Sequence, residues 1–487
     1  MKKTKSGCET CTWDDTAAWL NRHTYLSGVD LELEVLQAEQ EGRDLASVRA
    51  QIRALNRVAA PDNGDPLGGG RNGQWLERYK KLSTSIQELP LRSGYPYNEP
   101  NDLAEIVAAR GEPEVEVPQW SGTKAKLRRQ IHGALLGRVC GCLLGKPVEG
   151  WHRTSIEITA KATGNWPLER YFRVPTKKMA ERIAALRPVH KFGATVKERW
   201  YNSCLMPHIN GMVPDDDTNY TVLGMDLLMR CGGEFTAQDM ASAWLQELPL
   251  FTTFTAERVA YRNLVAGVVP PYSATLINPY REWIGAQIRA DAYGYANPGN
   301  PQRAAEWAWR DATISHVKNG IYGAMWVAAM LAAAAVLRDW EEVIYAGLGE
   351  IPAGSRLRED VETIVALWDD GADFDLACEY IHALWNERRM HDWCHTNSNA
   401  QIVAASLLWG GRDFGKCIGQ AVMAGFDTDC NGATVGSLWG MMYGAGRIPK
   451  EWSEPVNNIL RTSLVNYPEI AIDKFAARFA DWARGDK

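Results

Sequence analysis

No single sign of charge dominates this sequence. Its 487 residues carry 53 Lys and Arg against 59 Asp and Glu, a formal net charge of −6, and such a balance argues against nucleic acid as the partner. A membrane-crossing run is also missing. The longest apolar stretch, Ile321 to Val336, falls short of the roughly 20 residues a bilayer crossing needs, and Arg338-Asp339 closes it, so it reads as a buried helix. Met1 to Trp13 is polar and lacks the apolar core of a secretory signal, which makes the cytoplasm the expected location. The ten cysteines show no disulfide spacing, so reduced thiols are expected. Neither a G-x-S-x-G elbow nor a Walker A sequence occurs, which excludes the usual signatures of an α/β-hydrolase and a P-loop NTPase.

What is present is material for a large core. Apolar residues make up 46% of the chain and charged ones 23%, with a mean hydropathy of −0.30, unlike a disordered acidic polymer. Alternating β-branched runs are scarce. Helix-type periodicity marks 125–146, 218–231, 237–247, 302–312, 316–338, 358–386, 399–408, 414–424, 430–444 and 468–484, so an all-α fold is expected. Residues 15–58 also read as amphipathic helix. The loop Pro61 to Gly73 matches G-x-G-x-x-G at Gly68, Gly70 and Gly73, but no apolar strand precedes it, so it reads as a flexible loop rather than a dinucleotide fingerprint. Pro90, Pro96, Pro100, Pro113 and Pro118 punctuate a second loop-rich stretch. The expected organisation is an N-terminal, mostly helical extension over 1–124 and a compact multi-helix domain over 125–487. The rigid run Tyr95-Pro96-Tyr97-Asn98-Glu99-Pro100 is suited to dock the extension on that domain.

Glycine recurs every fourth residue at Gly133, Gly137, Gly141 and Gly145, and again at Gly432, Gly436, Gly440 and Gly444; Gly320, Ala324, Ala328 and Ala332 form a third small-residue stripe. A glycine inside a helix costs about 1 kcal/mol relative to alanine. Small residues at i, i+4 let helix backbones approach closely, which offsets that cost. If the two glycine helices pack antiparallel, the C-terminal end of the first lies beside the N-terminal end of the second.

Acids stand near those ends. Asp215-Asp216-Asp217-Thr218 precedes one expected helix, Asp427-Thr428-Asp429 another, and Glu149 follows the first glycine helix. One Asp at a helix start is an ordinary cap. Three in a row repel unless a cation or protons neutralise them, so capping and a carboxylate site for Mg²⁺, Mn²⁺ or Ca²⁺ both stand as readings. Cys8-x-x-Cys11 and His391-x-x-Cys394-His395 contain zinc-ligand types, yet neither has paired finger spacing.

The ordered motifs resemble the ADP-ribosylglycohydrolases: Gly133-Ala134-Leu135-Leu136-Gly137 through Gly145-Lys146-Pro147-Val148-Glu149, then Asp215-Asp216-Asp217-Thr218, then Ser315-His316, then Gly425-Phe426-Asp427-Thr428-Asp429 with Gly432 and Gly436 behind it. The resemblance covers about 125–487. It implies an all-helical domain with a two-metal centre, Mg²⁺ or Mn²⁺, at the mouth of a cleft for ADP-ribose. Position by position it makes Asp216, Asp217, Asp427 and Asp429 metal ligands and places Glu149 near the scissile ribosyl bond; Asp429 is also counted with Glu149 as catalytic. Two positions depart. Asp215 stands where the family usually has Ser or Thr, and Cys430 where it usually has Thr; both are kept as candidate ligands, although a thiol suits a hard cation poorly.

The segment Ile284 to Gly294 resembles the family's ligand loop, which would put the Gly285 backbone, Arg289 and Asp291 against phosphate and ribose, with His316 lining the cleft. Arg289 and Asp291 read equally well as structural ion pairs, and His316 as a cap or core residue. Asn399 is a further candidate. The resemblance therefore implies a hydrolase that removes ADP-ribose, bound through an N- or O-glycosidic bond, from a modified protein or small acceptor. A non-catalytic nucleotide-binding or structural member of the fold, and a metal-dependent phosphohydrolase, are the alternatives. Oligomeric state stays open.

Overall fold

The computed structural model describes residues 31–58, 73–186 and 201–485. Helices supply nearly all regular structure among them. The only sheet there is an antiparallel pair of three-residue strands, Ile459–Arg461 and Glu469–Ala471, and the all-α expectation is met.

The architecture is organised on the helices Lys124–Gly145 and Thr428–Tyr443. They run antiparallel with Gly133 against Gly440, Gly137 against Gly436, Gly141 against Gly432 and Gly145 against Thr428; a Cβ added at any of these seven glycines would fall within 3.0 Å of backbone across the seam. Close backbone approach is thus what the glycine spacing provides. The third stripe is used differently. Asn319–Ala334 is buried on every side, with Gly320 under the Arg281 carbonyl and the Ala328 carbonyl 2.8 Å from where a Cβ of Gly294 would stand. A helix apolar all round belongs to an interior, and among the described residues none is long and apolar enough to cross a membrane.

Two expected helices are broken. The span 358–386 divides into Arg356–Asp369 and Phe374–Leu384, because Gly371 turns the chain with φ +79 and Asp373 caps the second piece by accepting from the Leu376 N–H. Within 15–58 the described part divides into Leu31–Gln40 and Arg49–Asn56 around Gly42, whose φ is +77. The earlier part of that span, the Gly68 and Gly70 loop and the Cys8-x-x-Cys11 pair lie outside the described residues.

Residues from the N-terminal section bury their own cluster, Leu31, Ala38, Leu45, Ile52, Leu55, Trp75, Tyr79 and Ile86, with Ile277 inside it. Charges cross the same junction. Arg281 pairs with Glu34 at 2.9 Å and Glu41 at 2.8 Å, and Arg356 pairs with Glu99 at 2.7 Å. The Tyr95–Pro100 run docks through the Asn98 N–H to the Gly354 carbonyl at 2.8 Å and through the Tyr322 hydroxyl to the Pro100 carbonyl.

Candidate metal and active site

The glycine seam brings the end of one helix to the beginning of the other. The Thr428 hydroxyl donates to the Gly145 carbonyl at 3.0 Å, so the Lys146–Val148 turn and Glu149 stand over Asp429. Asp215 caps the third contributor, the helix Asp216–Cys231, by accepting from the Asp217 N–H at 3.0 Å. Phe426, buried and in the left-handed region with φ 56 after Gly425 at φ 80, turns Asp427 inward. Asn399 holds that turn: its Oδ1 accepts from the Asp427 N–H at 3.2 Å and from Asn431 Nδ2 at 2.8 Å, while its Nδ2 donates to the Trp393 and His395 carbonyls.

Two groups of possible ligands result. Cys142 Sγ and carboxylate oxygens of Asp215, Asp217 and Asp429 lie within 4.8 Å of one another, and so do oxygens of Asp427 and Asp429 with Cys430 Sγ. Asp429 belongs to both. Asp216 is less buried than its neighbours and sits in the field of Asp215, Glu149 and Glu257. Two cations oppose the acids. Lys146 Nζ is 2.8 Å from Asp215, 2.9 Å from Glu149 and 3.4 Å from Asp429. Arg138, wholly buried, bonds the Asp217 carbonyl at 2.9 Å, its carboxylate at 3.2 Å and Asp291 at 2.8 Å.

Among the described residues, six acids stand against two cations, which leaves that set short of positive charge. Burial, then the neighbouring carboxylates, push Asp216, Asp217 and Asp429 well above the usual carboxylate range. Asp215 is held below it: burial opposes its ionisation, but the Lys146 ammonium beside it prevails. Burial and the same acids raise the Cys142 and Cys430 thiols. Asp217 Oδ2 and Asp429 Oδ1 are buried and accept no hydrogen bond. Buried carboxylate oxygens require a partner, and convergent oxygens with a charge deficit fit a divalent cation. The residues present therefore fit such an ion.

Gly285 and Arg289 go elsewhere, while Asp291 stays tied to the cluster through Arg138. Gly285 admits the Glu257 carboxylate, which a Cβ there would strike. Arg289 is enclosed by Asp311 at 2.7 Å, Glu257 at 2.8 Å and Ser315 at 3.0 Å, and Asp291 by Arg138, Tyr295 and Ser437. Both form buried ion pairs, the alternative that their sequence left open. His316 meets Ser315 at 2.8 Å and walls a cavity of about 860 Å³ with Phe235, Tyr272 and Trp309; none of the clustered acids lines that cavity. Zinc finds no set at 391–395: His391 bonds Trp283 and Gln40, His395 accepts from the Asn397 N–H, and Cys394 lies 3.7 Å from Asp427 Oδ2.

Lys146, Cys142 and Arg138 were not singled out by sequence as members of the cluster. Their signal is a helical one: positions 138, 142 and 146 follow the glycine stripe 137, 141 and 145 by one residue, so they share a face beside the seam.

The family model described as ADP-ribosylglycohydrolase matches residues 123–484. A solved structure titled "ADP-ribosylglycohydrolase-related protein complex" aligns with TM-score 0.40 and 19% identity, covering 74% of this chain and 99% of that one. Curated proteins show no match.

Proposed function

Since the chain belongs to the ADP-ribosylglycohydrolase family, we propose that it is a metal-dependent hydrolase that cleaves the N- or O-glycosidic bond between ADP-ribose and an acceptor, a modified protein or a small molecule. The observation that carries this reading is the pair of ligand groups sharing Asp429 beneath Glu149. Asp215, Asp217 and Asp429 would hold one divalent cation, Mg²⁺ or Mn²⁺, and Asp427 with Asp429 a second, with Asp216 reaching the same mouth. When bound, such ions polarise hydroxyls and water in their reach.

The chain's own residues do the rest. Glu149, whose side chain is 30% exposed while Asp215 is fully covered, is the acid open to substrate. It accepts the proton of the attacking water, and Lys146 at 2.9 Å fixes the carboxylate's direction. The buried aspartates place negative charge below the ribose, where a glycosidic transition state develops oxocarbenium character. The water attacks the anomeric carbon as the bond to the acceptor nitrogen or oxygen breaks, and the electron pair leaves with the acceptor.

Mass spectrometry of released ADP-ribose across arginine-, serine- and nucleic-acid-linked substrates, with and without Mg²⁺ or Mn²⁺, tests this. Asp429→Ala and Glu149→Gln are each expected to lower the rate by about 10²–10⁴-fold. Full turnover in both variants, or in excess chelator, overturns the mechanism. Release of AMP instead of ADP-ribose assigns the bond to phosphate chemistry.

A further inference from the structure

Sulfur surrounds the acid cluster. Cys142 Sγ stands with the oxygens of Asp215, Asp217 and Asp429, Cys430 Sγ stands with those of Asp427 and Asp429, and Cys394 Sγ touches Asp427 Oδ2 at 3.7 Å. All three thiols are buried. Cys142 and Cys430 sit on the two helices joined by the glycine seam, one in each ligand group, with Asp429 common to both. Asp217 Oδ2 and Asp429 Oδ1 are buried without a hydrogen-bond partner within these groups, which marks the groups as built for something other than protein donors.

Ligand softness then bears on which cation enters. Oxygen-only sets suit Mg²⁺ and Mn²⁺, whereas a sulfur ligand favours metals later in the divalent series. We infer that Cys142 and Cys430 ligate through sulfur, one on each side of Asp429, and that the centre prefers a borderline-soft divalent cation, Co²⁺, Fe²⁺ or Zn²⁺, over Mg²⁺. The inference rests on the cluster being a cation centre, as proposed above, and alters its metal. As each metal–sulfur bond forms, the S–H bond breaks, its electron pair stays on sulfur and the proton passes to solvent; no oxidation state changes. Cys394 lies behind Asp427 and orients that carboxylate rather than the ion.

Cobalt alone serves as the probe. The full-length chain is titrated with Co²⁺, bound metal is counted by elemental analysis after dialysis, and the near-ultraviolet sulfur-to-cobalt absorption is recorded. Cys142→Ser and Cys430→Ser are compared, with helical circular dichroism checking that each folds. Co²⁺ is expected to bind roughly tenfold or more tightly than Mg²⁺, and each variant to lose about half of the charge-transfer intensity. Bound Co²⁺ without that absorption, intensity unchanged in both variants, or displacement by equimolar Mg²⁺ overturns the sulfur ligation and leaves the cation centre standing. Failure to retain Co²⁺, Mn²⁺ and Mg²⁺ alike overturns the centre and this inference together.

Discussion

Two of the buried charge clusters among the described residues are built on opposite rules. Where the N-terminal section docks, Glu34, Glu41, Glu99 and Glu282 face Arg281, Arg356 and Lys318. In the acid cluster, among the described residues, six carboxylates stand with Lys146 and Arg138, the latter shared with Asp291. The titration directions follow in part: burial raises Glu34 despite Arg281, and Lys146 keeps Asp215 low. Burial opposes ionisation of Glu282, yet Arg356 and His395 hold it well below the usual range, while Asp216, Asp217 and Asp429 are driven well above it. Near-balanced buried charge joins parts of a structure; unbalanced buried charge fits a counter-ion.

The largest effect comes from removing a partner in the balanced cluster. Arg356→Met strands Glu99 and Glu282, which it now contacts at 2.7 Å each, and should destabilise by about 3–5 kcal/mol in chemical denaturation. An unchanged midpoint would mean that the junction does not depend on its charges.

Removing an acid from the unbalanced cluster should act the other way. Asp216→Asn is expected to stabilise the metal-free protein by on the order of 1 kcal/mol, the scale of one substitution, while lowering ADP-ribose release. The pH dependence has the same origin. A carboxylate raised in the folded state contributes stability in full below its unfolded value and loses it as pH rises through the folded one. Thermal unfolding of metal-free protein should therefore show stability falling as pH climbs from about 4, with added cation flattening the slope. Glu282, depressed when folded, contributes the reverse: its stabilisation is present above the ordinary carboxylate range and is lost only as pH falls below it. A metal-free stability flat from acid to neutral pH would contradict the charge deficit.

The smallest effect belongs to the surface. Lys450 and Glu454 pair at 3.5 Å with side chains 86% and 68% exposed, and Lys450→Ala should move stability by no more than about 0.5 kcal/mol. A larger loss in the same denaturation series would show that exposed pairs matter here as much as buried ones.

Much of the framework is legible in the chain itself. Two four-residue glycine stripes dictate close antiparallel contact between Lys124–Gly145 and Thr428–Tyr443, since only helices without side chains along one line can approach so far. The apolar span Ile321–Val336 likewise had to become a buried helix, and Asp427 and Asp429 had to stand at a helix start. Breaks at Gly371 and Gly42 were harder to read, because helical periodicity continues through a glycine until its positive φ is known.

What sequence alone determined is the helical class, the glycine seam and the set of acids at its end, because each depends on residues three or four positions apart or on one repeated spacing. Tertiary structure decided which groups meet. Lys146 pairs with Asp215 across 69 positions, Arg138 with Asp217 across 79, and Cys142 joins Asp429, whereas Arg289 is enclosed by Asp311 and Glu257 and Asp291 shares Arg138 with Asp217. Coulomb attraction and thiol proximity act through a few ångströms of space, and only the packed helices set that separation.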